Sequence, residues 1–174
     1  MTTGVAVQIA EYSSQWPLMF EAESHLLRKA FLPEIVEIEH IGSTAVPGMA
    51  AKPVIDMLLG ASSMRSIERQ IAALASHGYR YVSEFEDQLP QRRYFVKPAQ
   101  GEALFHLHAV ESGSQFWRDH VAFRDVLRAD RRVFDGYLTL KRNLAESLRM
   151  DRDSYTEAKA PFIEAVINGQ SRRA

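Results

Sequence analysis

The chain has 174 residues, 46% of them hydrophobic and 25% charged, which excludes disordered and fibrous classes. Lys and Arg (21) nearly balance Asp and Glu (22) for a formal net charge of −1. That leaves no basic excess for a general nucleic-acid or membrane surface, although a few local cations would serve a small anionic ligand. Cysteine is absent, which rules out disulfide scaffolds, thiolate zinc sites and cysteine nucleophiles.

Residues 5–9 (VAVQI) read as a short strand or extended arm. Met1 to Glu11 lacks a basic region followed by an apolar run, and no stretch approaches the roughly 18–20 apolar residues of a membrane span, so a cytoplasmic protein is expected. Ser13 and Ser14 offer N-caps, Pro17 fits a first helical turn, and Leu18, Phe20, Leu26, Leu27 and Phe31 form a stripe. A helix over 15–30, ending before Pro33, follows from that pattern. The alternation in 35–41 (IVEIEHI) predicts a strand with one buried face. A Gly/Ser/Pro-rich turn occupies 42–48, and the apolar run 53–59 (PVIDMLL) predicts a strand buried on both faces. Ser62 or Ser63 caps a predicted helix running to about 77, with Gly78 as its stop. Residues 79–83, 92–97 and 103–110 read as three more strands. From Ser114 the pattern turns helical, over about 114–129, 131–149 and 154–167. With no repeat, low-complexity tract or linker, one domain over 1–174 is expected: an α+β arrangement in which a mixed β-sheet is flanked by helices and followed by a helical C-terminal part.

The chemistry concentrates in IEHIGSTAVPGMAAKPVIDMLL. Gly42-Ser43 makes a tight turn after one strand, and Asp56 lies in the next. Glycine admits close backbone approach to a ligand, and a serine hydroxyl with exposed N–H groups can receive phosphate oxygens. A carboxylate in an apolar strand is costly unless it is paired, hydrogen-bonded or bound to a cation. Together these are the parts of a metal–triphosphate site, with Asp56 holding Mg²⁺ and Gly42 and Ser43 cradling phosphate. The competing reading of Asp56 is a structural carboxylate that caps the neighbouring turn.

These residues resemble the nucleotidyltransferase superfamily pattern, an apolar residue and Gly-Ser followed by Asp-apolar-acid-apolar. Ile41-Gly42-Ser43 and Asp56-Met57 match it; Leu58 stands where the second acid belongs. More fully, EHIGSTAVPGMAAKPVIDMLL, RRYFVK, FHLHAVESGSQFWRDHVAFRDVLR and YTEAKAPFI resemble the GrpB (glutamate-rich protein B) family over roughly residues 5–168. That resemblance implies a nucleotidyltransferase fold, in a family whose relatives occur fused to dephospho-coenzyme A kinase.

His106 and His108 alternate onto one face of their strand, where imidazoles can share a metal or bind phosphate; a hydrogen-bonded pair on the sheet rim is the equal alternative. In nucleotidyltransferases a later strand supplies a third acid, and by position these histidines are candidates to stand there. His40 reads as structural, with alternation leaving its face open. His25, His77 and His120 lie in helical patterns and read as plain surface or core histidines. Lys52, just before the Asp56 strand, is a candidate phosphate contact. Arg93 and Lys97 share a face with each other and not with Arg92, and are candidate phosphate contacts. Tyr155 and Lys159 are one helical turn apart, and Lys159 is a further phosphate candidate. Phe116, Trp117, Val121, Leu127, Tyr137, Leu140 and Leu144 read as core. Ser43 lacks a Gly-x-Ser-x-Gly elbow, and there is no P-loop.

Two functions from different classes follow. The first is Mg²⁺-dependent transfer of a nucleotidyl group from a nucleoside triphosphate to a small acceptor, with Asp56, His106 and His108 as metal ligands or catalytic groups. The second is a module that binds a nucleotide or a coenzyme A-like anion without turnover, favoured by Leu58. A weaker third is a His/Asp metal site that hydrolyses a phosphorylated small molecule.

Overall fold

A computed structural model describes residues 9–34, 36–99, 104–148 and 152–171. Helix α1 (Gln15–Ala30) opens where Ser13 Oγ accepts the Gln15 N–H at 3.2 Å and buries Trp16, Phe20 and Leu27. Strand β1 (Glu37–Ile41) leads into a 3₁₀ turn (Ser43–Ala45) and then β2 (Val54–Ala61). Two short helices follow, α2 (Met64–Arg69) and α3 (Ile71–Ser76), then β3 (Arg80–Val82), β4 (Arg92–Pro98) and β5 (Leu104–Glu111). The helical part comprises α4 (Gln115–Ala129), α5 (Arg131–Ser147), α6 (Arg152–Glu157) and α7 (Ala160–Ser171). Its caps are local: Asp130 Oδ1 accepts the N–H groups of Arg132 at 2.8 Å and Val133 at 3.3 Å.

Two predicted helices are each divided. Within 63–77 the Gln70 N–H turns back to the Ile67 carbonyl at 2.9 Å, a three-residue closure that interrupts the four-residue ladder. Within 154–167 the break falls at residues 158–159, just before Pro161, whose missing N–H and ring disfavour a continuous helix. Residues 5–8, 35, 103 and 149, to which the sequence assigns strand or helix, lie outside the described residues. Ala10 pairs with Ala51 in an isolated antiparallel bridge, each N–H donating to the other's carbonyl at 2.9 Å.

The five strands form one mixed sheet in the order β1-β2-β5-β4-β3, antiparallel except for the parallel β2–β5 pair. Register fixes what shares a face. Asp56 stands opposite Ile41 on one side and His106 on the other, and Leu58 stands opposite His108, which in turn faces Tyr94. The other face carries Ile38, Ile55, Met57, Leu59, Phe95 and Leu107, all buried against α1, α2 and α3 in the main hydrophobic cluster. On the Asp56 face, Ile41, Leu58 and Val110 are covered by Phe116, Trp117 and Val121 of α4. Gly60 makes this docking possible, because a Cβ there would lie 2.9 Å from the Trp117 ring and 2.8 Å from Ser112 Oγ. The helical part thus closes part of this face and leaves Asp56 at the margin of the covered area, its side chain 27% exposed.

Candidate active site

The Gly-Ser turn and Asp56 meet as the sequence predicts. Gly42 has φ 71°, and a Cβ there would lie 2.4 Å from Asp56 Oδ2. Glycine is therefore demanded twice, by its backbone conformation and by the carboxylate against it. The turn is held rigidly: Thr44 Oγ1 donates to the Val54 carbonyl at 2.8 Å, and Arg128 donates to the Ala45 carbonyl through Nε at 3.0 Å and Nη2 at 2.7 Å. Arg124 adds a bond to the His40 carbonyl at 3.1 Å and an ion pair with Glu39. Helix α4 thereby occupies the turn's carbonyls from behind.

His106 and His108 both point at Asp56, with His106 Nδ1 3.6 Å and His108 Nε2 3.5 Å from Oδ1. Burial works to raise the Asp56 carboxyl. His108 first, then His106 and Lys159, outweigh that and hold it below its usual value. Arg92 Nη1 lies 3.2 Å from His108 Nδ1. A guanidinium can only donate, so Nδ1 accepts and the ring proton is assigned to Nε2, facing the carboxylate. In this arrangement His108 has no lone pair to offer a metal. It orients Asp56 instead, which removes the metal-ligand role the sequence expects of it. Among the described residues no group of three or more His, Cys, Asp or Glu side chains has the geometry to hold a metal ion. At Leu58, fully buried beneath α4, no second carboxylate is available on β2. This donor set fits an ion that arrives with the oxygens of a polyphosphate and keeps its waters; it does not fit a cage made by the protein alone.

On the turn side of Asp56 three lysines gather. Lys141, only 2% exposed, donates from Nζ to the Ala50 carbonyl at 2.5 Å. Burial pushes it down to about 7, reinforced by Lys159 and Lys52 and opposed by Asp56. Lys159 is pushed down to about 8 by burial and then by Lys52, again against Asp56. Lys52 Nζ and Lys159 Nζ lie 4.3 Å and 4.5 Å from the centre of the buried Tyr155 ring. Burial raises the Tyr137 hydroxyl above its usual value, with Ser43 acting in the opposite direction. Sequence reasoning missed Lys141; Tyr137, read as core, is buried in the cluster with Val46, Met49, Leu127 and Phe134. The available signal was a lysine on the buried stripe of α5, in step with Phe134 and Tyr137.

Arg93 and Lys97 are not brought to this site. Register places them on the opposite sheet face, where Arg93 pairs with Glu68 at 2.6 Å and Lys97 with Glu23 at 2.8 Å. Arg92 is the member of RRYFVK on the Asp56 face. His40 also lies on the far face, stacked on Phe20 with ring centres 4.7 Å apart and Nε2 3.1 Å from Thr44 Oγ1. Two surface hollows, one lined by Asp125, Ala129 and Arg132 and the other by Ile9, Arg142 and Glu146, do not include Asp56.

Comparison with known proteins identifies the family and the fold. The family model described as GrpB protein matches residues 6–168. The chain is 34% identical to glutamate-rich protein GrpB of Alkalihalophilus pseudofirmus over 93% of this chain and 94% of that one. The crystal structure of the conserved protein GrpB from Enterococcus faecalis is 30% identical and superposes with a TM-score of 0.84, covering 95% of this chain and 98% of the other. The Cid1 poly(U) polymerase with MgGTP bound shares the fold at 14% identity and a TM-score of 0.54, over 79% of this chain and 44% of that one. The chain belongs to the GrpB family and has a nucleotidyltransferase-like fold. No described helix is long and apolar enough to cross a membrane.

Proposed function

We propose, from its place in the GrpB family, that the chain binds a nucleoside triphosphate with Mg²⁺ and transfers the nucleotidyl group to a small acceptor. The carrying observation is charge: three lysines, two of them with weakened ammonium groups, converge from the turn side on one carboxylate packed against Gly42. Mutual repulsion of buried cations is relieved by a polyphosphate, so the cluster is poised for one. Lys52, Lys141 and Lys159 would hold the β and γ phosphates, with Ser43 and the turn at the phosphate nearest Asp56. Asp56 would hold Mg²⁺, which when bound neutralises charge on the phosphates. The acceptor oxygen attacks the α phosphorus, its proton passes to His106, and the bond to pyrophosphate breaks. His108, locked by Arg92, keeps Asp56 aimed.

A second reading, binding without turnover, is favoured by Leu58: with one carboxylate, metal affinity rests on the nucleotide alone. Thermal melting with MgATP or MgCTP tests both. Stabilisation by a few degrees is expected, because ligand that binds only the native state raises its stability. Absence of any shift sinks both readings. Asp56→Asn is expected to abolish the Mg²⁺-dependent part of the shift. Pyrophosphate release in an acceptor screen favours the enzyme, and saturable binding without release favours the module.

A further inference from the structure

We propose that Arg92 forms a second anion subsite, separate from the lysine cluster, which receives a carboxylate or phosphate carried by the acceptor. The assignment rests on the nucleotidyl-transfer reading for the word acceptor, but the subsite stands on its own geometry.

Arg92 lies on β4, across His108 from Asp56, whereas the lysines approach from the turn. Its environment differs from that of the chain's ion-paired arginines. Arg93 has Glu68 at 2.6 Å, Arg131 has Asp135 at 2.9 Å and Arg142 has Glu11 at 3.4 Å, while Arg124 pairs with Glu39 and Asp125. Among the described residues no carboxylate lies within ion-pair range of Arg92. Its protein contacts are His108 Nδ1 and two ring faces, with the guanidinium carbon 4.9 Å from the centre of Tyr94 and 6.0 Å from that of Phe116. Its Nε is buried without a hydrogen-bond partner. Burial depresses the guanidinium, the direction expected of a cation withdrawn from water with no counter-charge.

A planar cation set between rings, with donors unspent, matches the fork geometry of carboxylate and phosphate. Beside it Phe85 is 45% exposed and packs edge-on to Tyr94 with centres 6.3 Å apart, an apolar flank for the body of such a molecule. His108 lies between Arg92 and Asp56, 3.2 Å from the one and 3.5 Å from the other, so the acceptor's anion and its attacking oxygen sit at opposite ends of one small molecule. Small hydroxy acids and phosphorylated alcohols have that shape; neutral sugars and amines do not offer the anion.

The test follows the Nε–Hε resonance of Arg92, assigned by its absence in Arg92→Lys, during separate titrations with acetate and inorganic phosphate. It is run on wild type and on Lys141→Met/Lys159→Met. A saturable shift that persists in the double lysine variant is expected, with affinity, read in Arg92→Gln from the backbone amides of Tyr94 and His108, falling about tenfold as one charge-assisted fork is lost. The stronger of the two anions distinguishes a carboxylate-bearing acceptor from a phosphorylated one. A shift that is absent, or that disappears with the lysines, overturns the subsite. If wild type shows the Arg92 shift but no stabilisation by any nucleotide, nucleotidyl transfer falls and the subsite remains.

Discussion

At Gly42 and Leu58, single side-chain positions decide what the site can become. Gly42→Ala would place a methyl in the left-handed region and against Asp56 Oδ2, and a loss of about 2 kcal/mol or more is expected from strain alone. Urea denaturation measures it, and a loss below about 0.5 kcal/mol would show that the carboxylate swings away freely. Leu58→Asp, which completes the sequence pattern of a nucleotidyl transferase, is expected to destabilise by at least about 3 kcal/mol, because the new carboxylate is buried among Ile41, Val110 and the aromatic side of α4. A stable variant with tighter Mg²⁺ binding would mean that α4 yields at this point. The pairing of Gly42 with Asp56 was legible in the sequence because both ends lie within one strand–turn–strand unit, where spacing and alternation suffice. Arg92 and Arg93 show the limit of the same rule. Alternation separates them correctly, yet nothing local says which of the two faces belongs to the ligand.

Helix α5, the break between α6 and α7, and the loop before β2 deliver the three lysines from positions far apart in the chain, which is why only part of the cluster could be read in advance. Lys159 was traceable through its spacing from Tyr155, whereas the place of Lys141 on the buried stripe of α5 marks it as unusual without showing that Ala50 and Asp56 lie beside it. The cluster predicts a pH dependence of anion binding. Lys141 near 7 and Lys159 near 8 are charged below those values and neutral above, so affinity for sulfate is expected to fall as pH rises from 6 to 9. Binding also restores their ammonium forms and takes up protons in that interval. Calorimetry in buffers of different ionisation enthalpy reads the uptake, and Lys141→Met should reduce it; pH-independent binding without proton exchange would remove the lysines from the site. The divided helices α2/α3 and α6/α7 teach a related lesson. Pro161 announces one break, while the tightening at Gln70 has no such marker in its residue types.

For the molecule as a whole, the sheet is closed on one face by α1 to α3 and only partly on the other, and the closed face carries its own titratable group. His40, stacked beneath Phe20, is pushed down to about 4 by burial, against a usual 6.5. Between those values the unfolded chain binds a proton that the native state does not, so stability falls as pH drops from about 6.5 to about 4, by on the order of 3 kcal/mol. Asp56 acts lower on the scale: its stabilising contribution is present above the ordinary carboxylate value and lost as pH falls through its depressed one. Chemical denaturation across pH 4–7 measures the first step, and His40→Gln should flatten it; an unchanged slope would assign acid sensitivity elsewhere.

The seat of Trp117 over Gly60 has a practical consequence. The chain has two tryptophans, and Trp16 is sealed in the far cluster with Tyr12 edge-on to it. Trp117 instead rides on the helix whose arginines grip the Gly42-Ser43 turn, so its fluorescence, isolated by Trp16→Phe, becomes a built-in gauge of whether an added ligand loosens or tightens that grip.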